Sequence, residues 1–304
     1  MSLGRVSAVR VVAVFACVGL LLGAFASPGI AKKGKAQKLG PVVTVSAASP
    51  TTATTGTSVT ATATCPPGKK AFGGGFATTP SNQALIFPNE SHRSSPNSWV
   101  ASGSYFGISG SPPPLGITST VHCRRLAKAP QEVTISVPVI AQTNTTPATA
   151  IARCQGKKQR LISGGFLYTP PANGNVHQAL VYENEPVGKD WHASVQNSGT
   201  SPARTLTGYA YCAKGLKTAP KITSGTTAFT VPGALSPISA SSASCPAKTQ
   251  LSDGGFVSPF PATAPMTARP LYYESQAASD TWRASALAGF GGGPLSITAL
   301  GICT

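Results

Sequence analysis

Six cysteines in three evenly spaced pairs constrain the fold of this chain more than any other feature. The two members of each pair are 58 positions apart, and about ten residues after each first cysteine comes a Gly-Gly-Phe sequence that ends at Phe76, Phe166 or Phe256. A spacing repeated three times indicates one module used three times. The pairs are Cys65 with Cys123, Cys154 with Cys212, and Cys245 with Cys303.

The N-terminal segment is typical of a secretory signal. Two arginines precede an apolar run over residues 11–26, which is shorter than the roughly 20 residues of a membrane-spanning helix. Small residues favour cleavage after Ala26, with Ala31 as the second choice and a retained signal anchor as the alternative. Acylation at Cys17 does not fit, because this residue lies inside the apolar run. We expect a signal peptide over residues 1–26 and a secreted or cell-envelope-associated protein with no membrane span after cleavage.

The cysteines outside the signal predict disulfides. Of the seven cysteines, Cys17 lies in the signal and six remain; an even number in an exported chain is typical of a disulfide framework. The recurring spacing selects the three pairings given above. A zinc site is disfavoured, because the chain has no Cys-x-x-Cys pair and no histidine at ligand spacing. We therefore expect neither a metal nor another cofactor.

The rest of the chain divides into a tail and three modules. Residues 27–40 form a basic tail without apolar periodicity, and the modules run over residues 41–126, 130–214 and 219–304. Short, basic joints with prolines connect the modules, which favours extended rather than floppy connections.

Within each module the pattern is that of β-strands. Trp99, Trp191 and Trp282 alternate with residues of the opposite face, as strand side chains do. Turn residues separate such runs at short intervals, and no window has a helical period. We expect five or six strands per module, with a bend or a close backbone approach at each Gly-Gly. The predicted fold is all-β, with three tandem disulfide-stapled antiparallel β-sandwich-like modules; the alternative is a single pseudo-threefold β-prism.

The layout of each module carries a resemblance. The pattern C-P-x-G-K-x-x-x-G-G, a later Trp strand and a cysteine near the end resembles modules of uncharacterised exported proteins from high-GC Gram-positive bacteria. This resemblance covers all three modules and implies secretion and fold type, with no activity attached to it. The β-prism alternative is the fold of proteins similar to the egg vitelline-membrane outer-layer protein, whose repeats are shorter.

Three recurring glutamates are the only acidic residues copied into every module. Glu90, Glu183 and Glu274 each precede the tryptophan by eight or nine residues. They could bind a ligand or act as acids, but a structural hydrogen bond or ion pair is favoured. Glycosidase chemistry needs two carboxyl groups roughly 5–10 Å apart, and no second acidic residue is copied. Histidines are missing from the third module, and no G-x-S-x-G motif occurs. We therefore assign no catalytic residue.

Charge is the remaining functional signal. The formal net charge is +16, and a basic surface attracts polyanions. The predicted function is a secreted, non-enzymatic structural, adhesive or binding protein that contacts anionic cell-wall polymer or polysaccharide; an extracellular carbohydrate-active or other hydrolase is the alternative. Specific nucleic-acid binding is not expected, because no aromatic-basic platform is present. The candidate binding residues are Lys69, Lys70, Lys157, Lys158, Arg160, Glu90, Glu183 and Glu274. Module-specific function is expected in the loops over residues 82–88, 171–178 and 259–269.

Overall fold

The alternating stretches of the sequence form strands throughout the described part of the chain. The computed structural model describes residues 39–52, 54, 56–79, 86–105, 115–139, 147–169, 179–197, 204–230, 236–258, 270–288 and 294–304. These residues contain no helix, and so none that is long and apolar enough to cross a membrane. The predicted signal, most of the basic tail, and the candidate loops other than residues 86–88 lie outside the described residues.

Each module has six strands. In module 1 these are β1 Val43–Ala48, β2 Ser58–Thr64, β3 Lys70–Thr79, β4 Ile86–Ser95, β5 Ser98–Tyr105 and β6 Gly116–Arg124. In module 2 they are β7 Gln131–Val139, β8 Ala148–Arg153, β9 Gln159–Thr169, β10 Ala179–Val187, β11 Asp190–Asn197 and β12 Arg204–Lys214. In module 3 they are β13 Lys221–Thr230, β14 Ser236–Ser241, β15 Leu251–Val257, β16 Leu271–Ala278, β17 Thr281–Ala288 and β18 Pro294–Cys303.

The strands form three six-stranded antiparallel sheets, and each sheet is shared by two modules. Their strand orders are β1-β6-β3-β16-β17-β14, β13-β18-β15-β10-β11-β8 and β2-β5-β4-β9-β12-β7. Three strands of one module therefore continue into three strands of another. The three junctions, β3 with β16, β15 with β10, and β9 with β4, follow one another cyclically, so the modules are related by a pseudo-threefold axis.

Each module is at the same time a small sandwich that occupies one corner of a three-sided prism. Its first strand lies at the edge of one sheet and its second strand at the edge of the next, and these two edge strands contact each other: β1 with β2, β7 with β8, and β13 with β14. The all-β, antiparallel prediction with three disulfides is confirmed. The sheets further show that the sandwich-like modules are fused around a common axis, as in the alternative of a single pseudo-threefold assembly.

The three predicted disulfides join neighbouring sheets at one end of the prism. Cys65 follows β2 and is bonded to Cys123 in β6, which belongs to another sheet. The equivalent bonds Cys154–Cys212 and Cys245–Cys303 link the remaining sheet pairs, with Cα–Cα distances of 5.6–5.8 Å that are ordinary for a disulfide. We call this end of the prism the disulfide end. Every pair of sheets is thus covalently connected there.

The first glycine of each Gly-Gly pair makes room for a tryptophan. Trp99, Trp191 and Trp282 are fully buried, as predicted, and their indole N–H groups donate to Ser91, Asn184 and Ser275. A Cβ atom added at Gly74, Gly164 or Gly254 would overlap the tryptophan ring of the same module. The glycine therefore lets the backbone of β3, β9 or β15 lie flat against the indole.

The second glycine makes the contact between modules. A Cβ atom added at Gly75, Gly165 or Gly255 would overlap the carbonyl oxygen of Ser275, Ser91 or Asn184 across the sheet junction. At each junction only two residue pairs are in register, for example Glu183 with Val257 and Asn184 with Phe256. The predicted close approach is thus found inside a strand rather than at a turn.

The phenylalanines that follow these glycines meet at the centre of the core. Phe76, Phe166 and Phe256 are fully buried, and the Phe76 ring makes edge-to-face contacts with the other two at centroid distances of 6.4 and 6.3 Å. They belong to one apolar cluster that contains residues of all three modules. Edge-to-face packing is a favourable arrangement for aromatic rings. The recurring Phe is therefore the shared core of the assembly.

One buried carboxyl group breaks the threefold pattern. The residue before each Gly-Gly pair is Gly73, Ser163 or Asp253, and Asp253 is fully buried. Its two oxygens accept the N–H groups of Gly74 at 3.0 Å and Gly164 at 3.1 Å, and Gly254 N–H also bonds to it. Burial raises the pKa of Asp253 well above its usual value, against the lowering effect of these amide bonds. A carboxyl of module 3 therefore receives one N–H from each module.

Replacing Gly255 with Ala should destabilise the protein strongly. The added methyl group meets the backbone oxygen of Asn184, which cannot move without breaking the sheet junction, so we expect a loss of about 3 kcal/mol in the free energy of unfolding. Urea denaturation measures it. Gly156→Ala is the control, since the nearest atom there belongs to the flexible Gln159 side chain. Equal effects of the two substitutions would contradict the proposed role of the junction glycine.

Replacing Asp253 with Ala should leave three buried N–H groups without an acceptor. We expect a loss of about 3 kcal/mol or more, because buried unpaired polar groups and a new cavity both disfavour the native state. The exposed Asp280 serves as the control, and Asp280→Ala should change stability by less than about 0.5 kcal/mol. Thermal and urea unfolding of both variants give the comparison. A stable Asp253→Ala protein would show that the amides at the axis do not need this acceptor.

Candidate functional site

The five basic candidate residues lie together at the disulfide end. Lys69 and Lys70 follow the first disulfide cysteine of module 1, and Lys157, Lys158 and Arg160 follow that of module 2. The strand registers place these turns level with the second cysteines: Lys70 pairs with Arg124, beside Cys123, and Arg160 pairs with Ala213, beside Cys212. Because the disulfides connect the sheets there, both turns reach the same end of the molecule.

The joints between modules bring further positive charge to this end. β6 and β12 end at Arg124 and Lys214, and β13 begins at Lys221, opposite Cys303. Twelve lysine and arginine side chains in this region have no ion pair within the part of the chain that the structure describes, and most are exposed. They are Lys69, Lys70, Arg125, Lys128, Lys157, Lys158, Arg160, Lys189, Lys214, Lys217, Lys221 and Lys248. We call this set the basic face.

Acidic groups offset little of this charge. At the same end, Glu132 pairs with Arg93 at 3.4 Å, and Asp190 pairs with Arg153 at 2.6 Å. The Arg153 guanidinium lowers the pKa of Asp190, chiefly through its hydrogen bonds. These two acids are matched to arginines outside the basic face, and the exposed Asp280 beside Cys245 forms no ion pair with a described residue. The lysines of the basic face therefore remain available to an external anion.

The three recurring glutamates lie on the outer faces of the sheets. Each directly follows a β-bulge in β4, β10 or β16. Glu90 accepts hydrogen bonds from Ser102 at 2.7 Å and His92 at 2.8 Å, and these bonds outweigh burial to lower its pKa. Glu274 is bonded to Arg283, Ser285 and Gln276. Their partners belong to the same sheet, which is the geometry of the favoured structural role.

Module 2 adds a second carboxyl that the sequence reasoning missed. Glu185 lies two residues after Glu183 and so on the same face of β10. Burial first, and the charge and hydrogen bond of Glu183 next, raise the pKa of Glu185 to about 7. Ser194 donates to Glu183, and His192 Nδ1 lies 3.3 Å from it. The Glu-Asn-Glu sequence was the available signal, but it is not copied in the other modules.

The described residues give no support to a metal site. No group of three or more His, Cys, Asp or Glu residues there could hold a metal ion. The six cysteines of the modules are all in disulfides. The basic face is accordingly the feature of the described surface with the clearest chemistry, which is attraction of anions.

Glu185 should make stability depend on pH. A carboxyl whose pKa rises on folding stabilises the native state below its unfolded pKa of about 4.5, and this contribution is lost as pH rises through about 7. Glu185→Gln removes the loss, so the variant should be more stable than wild type at pH 8 by about 1 kcal/mol after allowance for solvent screening. At pH 5 the difference should be smaller. Urea unfolding at both pH values checks this, and a pH-independent difference would contradict it.

Comparison with known proteins gives no relative to guide the assignment. No protein-family model matches the chain, and no curated protein matches it.

Proposed function

We propose that this is a secreted, non-enzymatic binding protein that attaches through its basic face to anionic cell-envelope polymer or polysaccharide. The observation that carries the proposal is the collection, within the described residues, of twelve cationic side chains without ion pairs at one end of a disulfide-linked prism. Clustered charge of one sign produces a local field that net charge alone does not. A polymer with many negative groups can contact several of these side chains together.

The disulfides support the extracellular location that this proposal requires. Three disulfides indicate an oxidising, extracellular environment. In that environment the protein would meet anionic polymers of the cell envelope.

The surface chemistry favours a polymer without nucleobases. Proteins that bind single-stranded nucleic acid combine positive charge with exposed aromatic rings on which bases stack. At the disulfide end the rings of Phe72 and Tyr211 are buried. The large apolar side chains exposed in the described residues are aliphatic: Ile135, Ile151, Val187 and Ile222. Charge without stacking surfaces suits a polysaccharide or a similar non-aromatic chain.

Removing four lysines of the basic face should weaken polyanion binding. We expect the combined change of Lys157, Lys158, Lys217 and Lys248 to Gln to lower the affinity for alginate about tenfold or more at low salt, and to reduce the slope of log affinity against log salt concentration. Binding of the disulfide-bonded protein to immobilised alginate, with NaCl titrated, measures both quantities. The variant should unfold at the same temperature as wild type, because all four side chains are exposed.

The control changes net charge by the same amount at another place. Ala48, Thr60, Thr134 and Ser224 are exposed on edge strands along the sides of the prism, and their replacement by Glu also lowers the net charge by four. We expect this control to weaken binding much less than the lysine variant. Equal weakening by the two variants would mean that net charge alone drives binding. An unchanged affinity of the lysine variant would exclude the basic face as the binding site.

A further inference from the structure

Two adjoining grooves cross the disulfide end. The first has a volume of about 490 Å³ and lies between the segment before β1, the start of β15 and the joint after β12. The second has a volume of about 200 Å³ and lies between that joint and the one between β6 and β7. Leu39 and Leu216 line both grooves. The two grooves therefore adjoin each other on the basic face, and we call the pair the basic groove.

A buried arginine forms part of the wall of the first groove. Arg124 is 2% exposed, and its guanidinium donates to the Gly40 carbonyl and the Thr304 hydroxyl, both at 2.9 Å. Among the described residues, its Nε–H has no hydrogen-bond partner and no carboxylate forms an ion pair with it. Burial lowers the pKa of Arg124 to about 10, so it stays charged at neutral pH. A buried positive charge without a counterion favours an anion in the adjoining space.

Lysines continue this charge along the basic groove. Lys217 and Lys248 line the first groove, and Lys128 and Lys214 line the second. The described residues that line the two grooves include no Asp or Glu. The negative groups of a linear polymer bound in the basic groove would therefore contact several of these cations.

The uncharged residues of the basic groove indicate what a bound polymer contains besides its negative groups. Thr218, Thr249 and Gln250 offer hydroxyl and amide groups to hydroxyl-bearing units. Leu39 and Leu216 are partly exposed and provide an apolar contact of the kind that the C–H face of a sugar ring can use. A lining that combines apolar, hydroxyl-binding and cationic groups matches an acidic sugar better than a chain of phosphates alone.

We propose that the basic groove binds a single strand of a linear acidic polysaccharide, with sugar carboxylates at the lysines and at Arg124 and sugar rings against Leu39 and Leu216. This assignment rests on the proposed function, since it names the polymer and the place where the basic face holds it. Lysines of the basic face outside the groove contribute only non-specific electrostatic attraction.

Two double variants that remove equal charge distinguish binding in the basic groove from binding elsewhere on the basic face. Lys217→Gln with Lys248→Gln removes two charges from the groove, whereas Lys157→Gln with Lys158→Gln removes two exposed charges outside it. Titration with alginate oligosaccharides at fixed salt should show about a tenfold loss of affinity for the groove pair and less than about a threefold loss for the outside pair. Equal losses would overturn the groove assignment but leave the basic face as the binding surface.

A third variant tests the sugar assignment without changing charge. Leu216→Ser should weaken binding of alginate oligosaccharides about threefold and leave binding of inorganic polyphosphate unchanged, because only the sugar uses the apolar contact. Equal weakening for both probes, or none for either, would contradict an acidic sugar as the occupant. If the variant lacking all four lysines binds both probes like wild type, the proposed function itself fails. Thermal unfolding of every variant verifies that the fold is retained.

Discussion

The close approach of two backbones at each sheet junction is the contact on which the architecture depends. Gly75, Gly165 and Gly255 each lie against a carbonyl of a neighbouring module, and only two residue pairs are in register at each junction. A side chain at these positions would hold the half-sheets apart. Three short junctions then turn three corner sandwiches into one closed prism, and the phenylalanine beside each glycine fills its centre.

The disulfides and the positive charge at the same end have opposite effects on stability. The twelve cationic side chains of the basic face, which have no ion pair with any other described residue, repel one another, and this repulsion is strongest at low salt. The disulfides connect each pair of sheets at that end and constrain the unfolded chain by about 4 kcal/mol each in the loop-entropy model. Each disulfide lies within one module, so it stabilises the corner sandwich that carries the charge, while the sheet junctions and the shared core hold the modules together.

Features that repeat with the module could be read from the sequence. The spacing of the cysteines predicted the disulfides, and alternation around Trp99, Trp191 and Trp282 predicted buried strand faces. The sharing of sheets could not be predicted, because a repeat gives the same pattern whether its strands pair within a module or between modules. The basic candidates were visible as separate lysine clusters, but their convergence on one end depends on strand register.

Features found in one module only were the hardest to recognise. Asp253 looked like a local acidic residue, and nothing in its sequence neighbourhood shows that three amides from three modules converge on it. Glu185 acquires its raised pKa from Glu183 and from burial, which a sequence pattern does not report. Arg124 belonged to an apparently exposed basic joint, yet the strand register buries it beneath Gly40 and beside Thr304.

Asp253 also bears on how a threefold protein can come to be encoded in one chain. An assembly of three identical, separate modules must place the same side chain at the axis three times, and three carboxyl groups would crowd a space that accommodates one. Joining the copies in one polypeptide lets the position differ, as Gly73, Ser163 and Asp253 do. The fused chain can therefore place a single carboxyl acceptor, that of Asp253, at the axis. Its three modules are no longer equivalent at this position.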